Sequence, residues 1–334
     1  MEWRGLNVLI TGGAGHIGSH LAARLVAMGA NVFVADNLWR GRMSNLYLDG
    51  QPVIDLDRKF FRLDLVEYSN CIVATRGMDT IYHLADVVGG INYVFGNQLS
   101  VFNTNVVLNS HMLKAAIANS VSNYIYVGTA CSYPHQKQMQ LDPPPLQEDD
   151  AYPASPESSY GWSKLMGEYE CGLAQEERLL NVGILRLHNV YGPRCELSPE
   201  RSQVIPALIR KAINYPSEPF VVWGSGRQRR AFVYVEDVVD ALLSVRDKGM
   251  NKGVIQIGPD SSISISSIAE RILSVSGKSI PIEYDTSRPE GDVDRTADWT
   301  RAREILRWRP STTIDEGLRQ TYQWCESYLY TLQH

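Results

Sequence analysis

Three glycines near the N-terminus, spaced three residues apart, constrain the fold of this chain more than any other feature of the sequence. Gly12, Gly15 and Gly18 stand between a short apolar run, NVLITG, and a segment whose apolar residues repeat with a helical period. A strand, a glycine turn and a helix in this order predict a nucleotide-binding unit. The first glycine allows the turn, the second lets backbone amides approach a pyrophosphate, and the third lets helix and strand pack closely.

A carboxylate follows this turn at the end of the next strand-like run. Asp36 lies about 20 residues further on, where its side chain can accept hydrogen bonds from both hydroxyls of an adenosine ribose. Because the carboxylate would repel a 2′-phosphate, the sequence favours NAD over NADP. Arg40 and Arg42 lie close enough to leave NADP open. A glycine turn without a ligand is the alternative to this interpretation.

The order of strand-like and helix-like segments along the chain predicts its architecture. Strand-length apolar runs alternate with amphipathic helix-length segments, which is typical of an α/β fold with a doubly wound parallel sheet of Rossmann type. After residue 190 Pro and Gly interrupt shorter elements, so we expect a smaller C-terminal α/β lobe that binds substrate. We expect the NAD-binding domain at 1–190 and about 230–255, and the substrate-binding lobe at 191–229 and 256–334.

Composition disfavours several other classes of protein. The 334 residues are 44% hydrophobic and carry a formal net charge of -5, so we expect a large core and no nucleic-acid partner. Five cysteines without metal-type spacing predict reduced thiols, no metal and a cytoplasmic location. We expect no membrane span and no signal peptide, because apolar runs are short and a strand-like run begins at once.

A tyrosine and a lysine four residues apart suggest redox chemistry. On a helix, Tyr160 and Lys164 of the segment YGWSK would share one face. Such a lysine can bind the nicotinamide ribose and lower the pKa of the phenol from its ordinary ~10. The tyrosinate could then take a proton from a sugar hydroxyl while NAD accepts hydride from the same carbon. Alone, the pair could be two surface side chains without a catalytic role, but its position after VGTA favours a role in catalysis.

These motifs resemble the extended short-chain dehydrogenase/reductase family, in particular its nucleotide-sugar epimerases and dehydratases. The resemblance covers nearly the whole chain and includes RLDL, HLAD, NTNV, RLHNVYGP, FVYVEDVVDAL and EGDVDRTAD. It implies a homodimer built on helices that begin near residues 101 and 158. It implies that Thr129 orients the substrate oxygen. The implied cofactor contacts are Gly12, Gly15, His16, Ile17, Gly18, Asp36, Asn37, Asp64, Leu65, Leu84, Ala85, Tyr160 and Lys164.

Cys131 indicates one branch of that family. Ala130, Cys131 and Ser132 stand where sugar 4,6-dehydratases carry an acidic pair, so dehydration is disfavoured. ACSYP and HNVYGP are similar to GDP-mannose 3,5-epimerases and GDP-fucose synthases, whose active-site cysteine handles protons beside a C4 ketone. That ketone acidifies the hydrogens on C3 and C5, and a thiol activated by nearby positive charge can remove one. Cys131 could otherwise be a small buried residue at a strand end.

The resemblance also implies a substrate site for a nucleotide-diphosphate sugar. Its residues are Gly90, Cys131, Ser132, Asn189, Gln203, Val204, Arg230 and Arg295. The two arginines would clasp the diphosphate, although each could instead form a surface ion pair. Gln203 stands where the relatives have a second proton-transfer group, and glutamine cannot transfer a proton. The group that replaces it could be His188, water, Lys211, Arg201 or Ser202, or a single centre could be inverted.

The leading hypothesis is an NAD-dependent epimerase that acts on a GDP-hexose through a 4-keto intermediate and inverts C5, C3 or both. A UDP-sugar 4-epimerase stays open, because it needs no second acid. A dehydrogenase or reductase that releases a keto-sugar also stays open, although Asp36 disfavours NADPH. A non-catalytic NAD-binding protein would be expected to lack Tyr160 or Lys164, and both are present.

Overall fold

Strands and helices alternate along the chain. The computed structural model describes residues 3–333. The strands are β1 (Asn7–Thr11), β2 (Asn31–Ala35), β3 (Tyr47–Leu48), β4 (Gln51–Pro52), β5 (Phe60–Phe61), β6 (Thr80–His83), β7 (Asn123–Thr129), β8 (Asn181–Leu187), β9 (Asn189–Tyr191), β10 (Val221–Trp223), β11 (Arg229–Arg230), β12 (Phe232–Tyr234), β13 (Val254–Ile257), β14 (Ile263–Ser264) and β15 (Glu283–Asp285). The helices are α1 (His16–Ala27), α2 (Leu56–Lys59), α3 (Tyr68–Thr75), α4 (Ile91–Gly96), α5 (Gln98–Ala118), α6 (Ser159–Glu176), α7 (Val204–Asn214), α8 (Val235–Ser244), α9 (Ile265–Ser276) and α10 (Ile314–Gln333).

Seven parallel strands form the central sheet in the order β13-β8-β7-β6-β1-β2-β5. From β1 the chain first moves outward to β2 and β5, and then returns to β6 on the other side of β1. The strand order therefore reverses between β1 and β6. In sheets of this kind ligands bind in the crevice at the carboxyl ends of the strands beside that reversal. This topology confirms the predicted doubly wound α/β fold.

Two apolar cores cover the opposite faces of the sheet. Val8 and Ile10 of β1 belong to the first core, with residues of α1 and α8. Leu9, between them, belongs to the second core, with residues of α3, α5 and α6. Successive side chains of a strand point to opposite faces, so this alternation places helices on both sides of the sheet.

The lobe has a core of its own, to which α7, α9 and α10 contribute. Its small sheets pair β10 with β15 and β11 with β14. Residues 302–308 nevertheless pack into the first core of the main sheet, and Trp308 Nε1 donates a hydrogen bond of 2.7 Å to the Asp237 carbonyl. The C-terminal part of the chain therefore returns to the main sheet once more before α10.

A buried ion pair holds α6 against the sheet. Arg186 of β8 donates from Nη2 and Nε to Glu168 of α6, at 2.6 and 3.2 Å. Both side chains are almost fully buried, where a bidentate contact replaces the hydration that each charge has lost. The contact determines the position of α6, and its first turn carries Tyr160.

Within residues 3–333, no helix combines the length and the apolar character that crossing a membrane requires.

Candidate active site

A cleft of about 720 Å³ lies at the carboxyl ends of the central strands and extends into the lobe. That volume suits a bound small molecule or cofactor. The cleft is lined by every residue that the sequence predicted for cofactor or substrate except Lys164 and Ser132. Strands that are distant in sequence therefore bring the two predicted groups together in one continuous site.

The glycine turn and Asp36 form the cofactor end of the cleft. The Asp36 carboxylate accepts hydrogen bonds from the amides of Ala14, at 3.0 Å, and Leu38, at 2.8 Å. Burial raises the pKa of Asp36, while these two amides oppose the shift. Carboxylate oxygens can accept further hydrogen bonds, so the adenosine ribose hydroxyls fit here, and the turn amides fit a pyrophosphate.

Gly18 is required by close packing. A Cβ at this position would lie 2.4 Å from the Gly12 carbonyl oxygen and 2.7 Å from the Gly13 Cα, distances that backbone atoms cannot relieve without moving. We expect Gly18→Ala to lower the free energy of unfolding by about 1–3 kcal/mol and to weaken NAD binding. Thermal unfolding with and without NAD measures both effects. Gly96→Ala is the control, because a Cβ there meets no atom within 4 Å; equal losses in both variants would contradict the prediction.

Tyr160 and Lys164 meet a third side chain in the cleft, that of Asp86. The Tyr160 hydroxyl donates a hydrogen bond of 2.8 Å to Asp86 Oδ2, and Lys164 Nζ lies 3.7 Å from the same oxygen. Lys164 is buried behind the cleft wall, with Nζ 4.6 Å from the centre of the Tyr126 ring. The helical spacing therefore gives the shared face that the sequence predicts, and Asp86 completes the group.

The protonation of this group differs from the expectation. The sequence predicts that Lys164 lowers the pKa of Tyr160. Burial instead raises the pKa of Tyr160 well above its ordinary range, and the Asp86 carboxylate raises it further. Burial also lowers the pKa of Lys164, while Asp86 opposes that shift. Burial and the carboxylate 2.8 Å from the phenol oxygen therefore both favour the protonated form of Tyr160.

Cys131 lies where the end of β7 meets the beginning of α6. The Thr129 hydroxyl accepts a hydrogen bond of 3.2 Å from the Cys131 amide and so caps the short 3-10 turn Ala130–Ser132. A Cβ on Gly161 would lie 2.1 Å from the Cys131 carbonyl oxygen, so glycine is required for the helix to come this close. Cys131 is partly exposed in the cleft, whereas the other four cysteines are buried.

Ser132 lies outside the cleft, although the resemblance implied a substrate contact. Its side chain is fully buried, and its hydroxyl donates a hydrogen bond of 3.3 Å to the Gly161 carbonyl. The 3-10 turn causes this difference, because successive residues on such a turn face different directions. Ser132 thus connects the Cys131 turn to α6.

The two predicted arginines lie at the substrate end of the cleft. Arg295 donates to the Ala130 carbonyl and to Asn189 Oδ1, both at 3.2 Å, so the opposite end of the Asn189 amide, Nδ2, is directed away from the guanidinium. Burial and Arg295 lower the pKa of Arg230 to about 10, while Asp292, Cys131 and Glu157 oppose the shift. Arg230 is therefore still cationic at neutral pH, and its charge acts on Cys131.

A cluster that the sequence interpretation missed lies beside these arginines. His135 Nδ1 is 2.9 Å from Asp292 Oδ1 and 3.8 Å from Glu157 Oε1. One ligand atom from each of the three lies within 4.8 Å of the others, a spacing that a metal ion could use. Arg295 Nη1 lies 3.3 Å from Asp292 Oδ2, so a cation already partners that carboxylate. Asp292 is therefore already partnered by a histidine and an arginine of the protein itself.

The candidates for a second proton-transfer group differ in what they can do. Gln203 immediately precedes α7 and lines the cleft, as do Gly90 and Val204. Burial and Arg295 lower the pKa of His188 to about 3, so its ring is neutral near pH 7 and cannot act as an acid. Lys211 also lines the cleft, but its Nζ donates a hydrogen bond of 2.6 Å to the Val221 carbonyl.

Comparison with known proteins identifies the family. The model of the NAD dependent epimerase/dehydratase family matches residues 8–258. The chain belongs to this family. It is therefore an NAD-dependent enzyme of the nucleotide-sugar epimerase and dehydratase type, and NAD is its cofactor. The match agrees with the geometry, because the glycine turn and Asp36 already fit a dinucleotide.

Relatives with different substrates are similar to this chain. A GDP-mannose 3,5-epimerase of Arabidopsis thaliana is 32% identical over 324 residues, 97% of this chain and 83% of that protein. A UDP-N-acetyl-alpha-D-glucosaminuronate decarboxylase of Bacillus cytotoxicus is 30% identical over 328 residues, 95% of this chain and 96% of the relative. The structure of a UDP-glucose 4-epimerase of Thermotoga maritima with UDP-glucose is 26% identical and superposes with a TM-score of 0.86, covering 97% of this chain and 100% of that one.

Proposed function

We propose that this enzyme is an NAD-dependent epimerase of a GDP-hexose, which it oxidises transiently at C4 before it inverts C5, C3 or both. The observation that carries the proposal is the position of Cys131, a partly exposed thiol in the cleft that contains Tyr160 and the cationic Arg230. The GDP-mannose 3,5-epimerase of Arabidopsis thaliana, similar over 97% of this chain, supports the choice of a GDP-hexose.

In the proposed mechanism, the glycine turn and Asp36 would hold NAD, which would supply hydride-transfer chemistry at C4 of the sugar. Tyr160 takes the proton of the C4 hydroxyl. The ketone acidifies the neighbouring C–H bonds, and Cys131, which lies in the same cleft as Arg230, removes or returns a proton there. Arg230 and Arg295 bind the diphosphate, and their guanidinium groups match its oxygens.

Inversion also needs proton delivery to the opposite face of the ring. Gln203 cannot supply that proton, and the neutral ring of His188 cannot act as an acid. The proposal therefore includes two alternatives. Either water that enters the cleft delivers this proton, or only a single centre of the sugar is inverted.

A UDP-sugar 4-epimerase is the second candidate. The UDP-glucose 4-epimerase of Thermotoga maritima has the same fold with a TM-score of 0.86 and is 26% identical. A 4-epimerase returns the hydride to the other face of a rotated ketone, so it needs no proton donor beyond Tyr160. The glutamine at position 203 is compatible with that reaction.

We also propose a homodimer, which the resemblance implies. Trp162, Met166, Tyr169 and Leu173 form an exposed stripe on α6 at helical spacing, and Leu99 of α5 is exposed on the neighbouring helix. An apolar stripe of this kind is typical of a surface that another subunit covers. A second copy of the chain, contributing the same two helices, fits it by symmetry.

Incubation with GDP-mannose, UDP-glucose and UDP-glucuronate in deuterated water tests the proposal, with products followed by NMR. We expect deuterium at C5, C3 or both of the GDP-hexose, because the proton removed there exchanges with solvent. A C4 epimer of UDP-glucose without deuterium would establish the second candidate. Release of carbon dioxide from UDP-glucuronate, or a ketone accumulating with NADH, would overturn both candidates.

A further inference from the structure

Asp86 is a charged group in the centre of the cleft for which the proposed function has no role. It follows β6 directly, at the edge of the sheet where the strand order reverses. Its Oδ2 atom accepts the hydrogen bond of the Tyr160 hydroxyl at 2.8 Å and lies 3.7 Å from Lys164 Nζ. An oxygen at this distance is directly in line to receive the phenol's proton.

The charges around Asp86 come from three parts of the fold. Tyr160 and Lys164 face it from α6, and the Tyr126 phenol of β7 lies behind Lys164. Arg40, in the segment after β2, lines the same cleft and interacts electrostatically with Asp86. Two cations, Lys164 and Arg40, therefore lie near the carboxylate, while burial and that carboxylate raise the pKa of the neighbouring Tyr160 phenol.

We propose that Asp86 is the proton acceptor of Tyr160 during oxidation of the sugar. The proposal rests on the proposed C4 oxidation and deepens it. As the C4 hydroxyl gives its proton to Tyr160 Oη, the Tyr160 proton moves to Asp86 Oδ2. The C4–H bond would break at the same time, and NAD, which the glycine turn and Asp36 would hold, would supply the acceptor for its electron pair as hydride. Reduction of the ketone reverses both proton transfers.

This relay avoids a phenolate in a buried site. Burial and the Asp86 carboxylate raise the pKa of Tyr160 well above its ordinary range, so a free tyrosinate beside Asp86 would be costly. In the relay, the carboxylate becomes neutral as the phenol passes its proton on, and the phenol stays neutral before and after the step. Asp86 thus acts through Tyr160 as a positioning and proton-holding residue.

Titration of tyrosinate absorbance in the NAD-loaded enzyme tests the contact without any sugar. The difference between the wild type and Tyr160→Phe isolates the ionisation of Tyr160 from that of the other tyrosines. We expect Asp86→Asn to ionise Tyr160 at lower pH, because an amide no longer opposes the phenolate. An unchanged titration of Tyr160 would mean that the two groups do not interact, and would overturn the proposal.

Single-turnover formation of NADH tests the proton transfer itself, with GDP-mannose and UDP-glucose as probes. If Tyr160 works as a free phenolate, Asp86→Asn makes it a better base at neutral pH and the rate is unchanged or higher. If Asp86 receives the proton, the rate at pH 7 falls by about 10²-fold and recovers as the pH rises. Asp86→Glu keeps the carboxylate and should restore part of the rate.

The two measurements separate this inference from the proposed function. A wild-type enzyme that oxidises neither probe contradicts the proposed substrates, and the tyrosinate titration still decides whether Asp86 acts on Tyr160. The rate loss in Asp86→Asn could be the same at every pH, with no gain from Asp86→Glu. That outcome would indicate a structural role for Asp86 and would contradict the proposed proton transfer. Equal NAD affinity and thermal stability of the variants establish that they are folded.

Discussion

Replacing Tyr160 by phenylalanine is expected to lower turnover by about 10³-fold. The substitution keeps the ring in place but removes the oxygen that accepts the sugar proton and donates to Asp86. Because the glycine turn and Asp36 are untouched, we expect the affinity for NAD to be unchanged. Steady-state turnover of GDP-mannose, single-turnover formation of NADH and a binding titration with NAD measure the three quantities.

Tyr152→Phe is the matched control for this prediction. It removes the same atom from an exposed tyrosine that precedes α6 and is not part of the cleft lining. We expect that variant to retain wild-type turnover. Wild-type activity in Tyr160→Phe would contradict every catalytic interpretation of this cleft, because the other described tyrosines that line it, Tyr93 and Tyr191, form no hydrogen bond with Asp86.

Replacing Cys131 by alanine is expected to separate oxidation from inversion. Oxidation at C4 uses Tyr160 and should continue, whereas incorporation of deuterium at C5 or C3 should fall by about 10²-fold, because the proton-transfer group is gone. NMR in deuterated water measures the label, and NADH absorbance in a single turnover measures the oxidation. Undiminished deuterium incorporation would contradict the role of Cys131.

Cys171→Ala is the control, because Cys171 lies on α6 but is fully buried. Burial raises the pKa of the Cys171 thiol well above its ordinary range, so it cannot form a thiolate near neutral pH. We expect iodoacetamide to modify Cys131 in the folded enzyme and to abolish deuterium incorporation, since the other four cysteines are buried. Prior addition of GDP-mannose should slow the modification.

If both predictions hold, Tyr160 carries out the oxidation and Cys131 the inversion, and both side chains lie where β7 approaches α6. Tyr160 lies in the first turn of α6, Cys131 lies in the 3-10 turn that follows β7, and Gly161 lets the helix approach that turn. A loss of oxidation in both variants would instead indicate that Cys131 positions the sugar. The 4-epimerase would then be the better account, because that reaction needs no thiol.

Local features of the sequence predicted most of the residues that line the glycine-turn end of the cleft. The glycine turn, the helix after it and the spacing of Tyr160 and Lys164 depend on contacts within a few residues, and short-range backbone geometry determines them. The last strand of the sheet, β5, is only two residues long, because it pairs with β2 through Phe60 and Phe61 before Asp64 turns the chain. Short strands at the edge of a sheet are common, because they limit the number of unpaired backbone groups that the edge exposes.

The sequence by itself determined the dinucleotide turn, the alternation of strands and helices and the Tyr–Lys pair, because each is encoded by residues adjacent in the chain. Only the tertiary structure decided what surrounds them. Asp86 meets Tyr160 across 74 residues, and His135 meets Asp292 across 157. The first contact follows from the order of the strands in the sheet, which brings distant carboxyl ends to one edge. The second follows from the position of the segment after β15 beside the turn that contains His135. That order also determines which charge faces the phenol, and so how its proton moves.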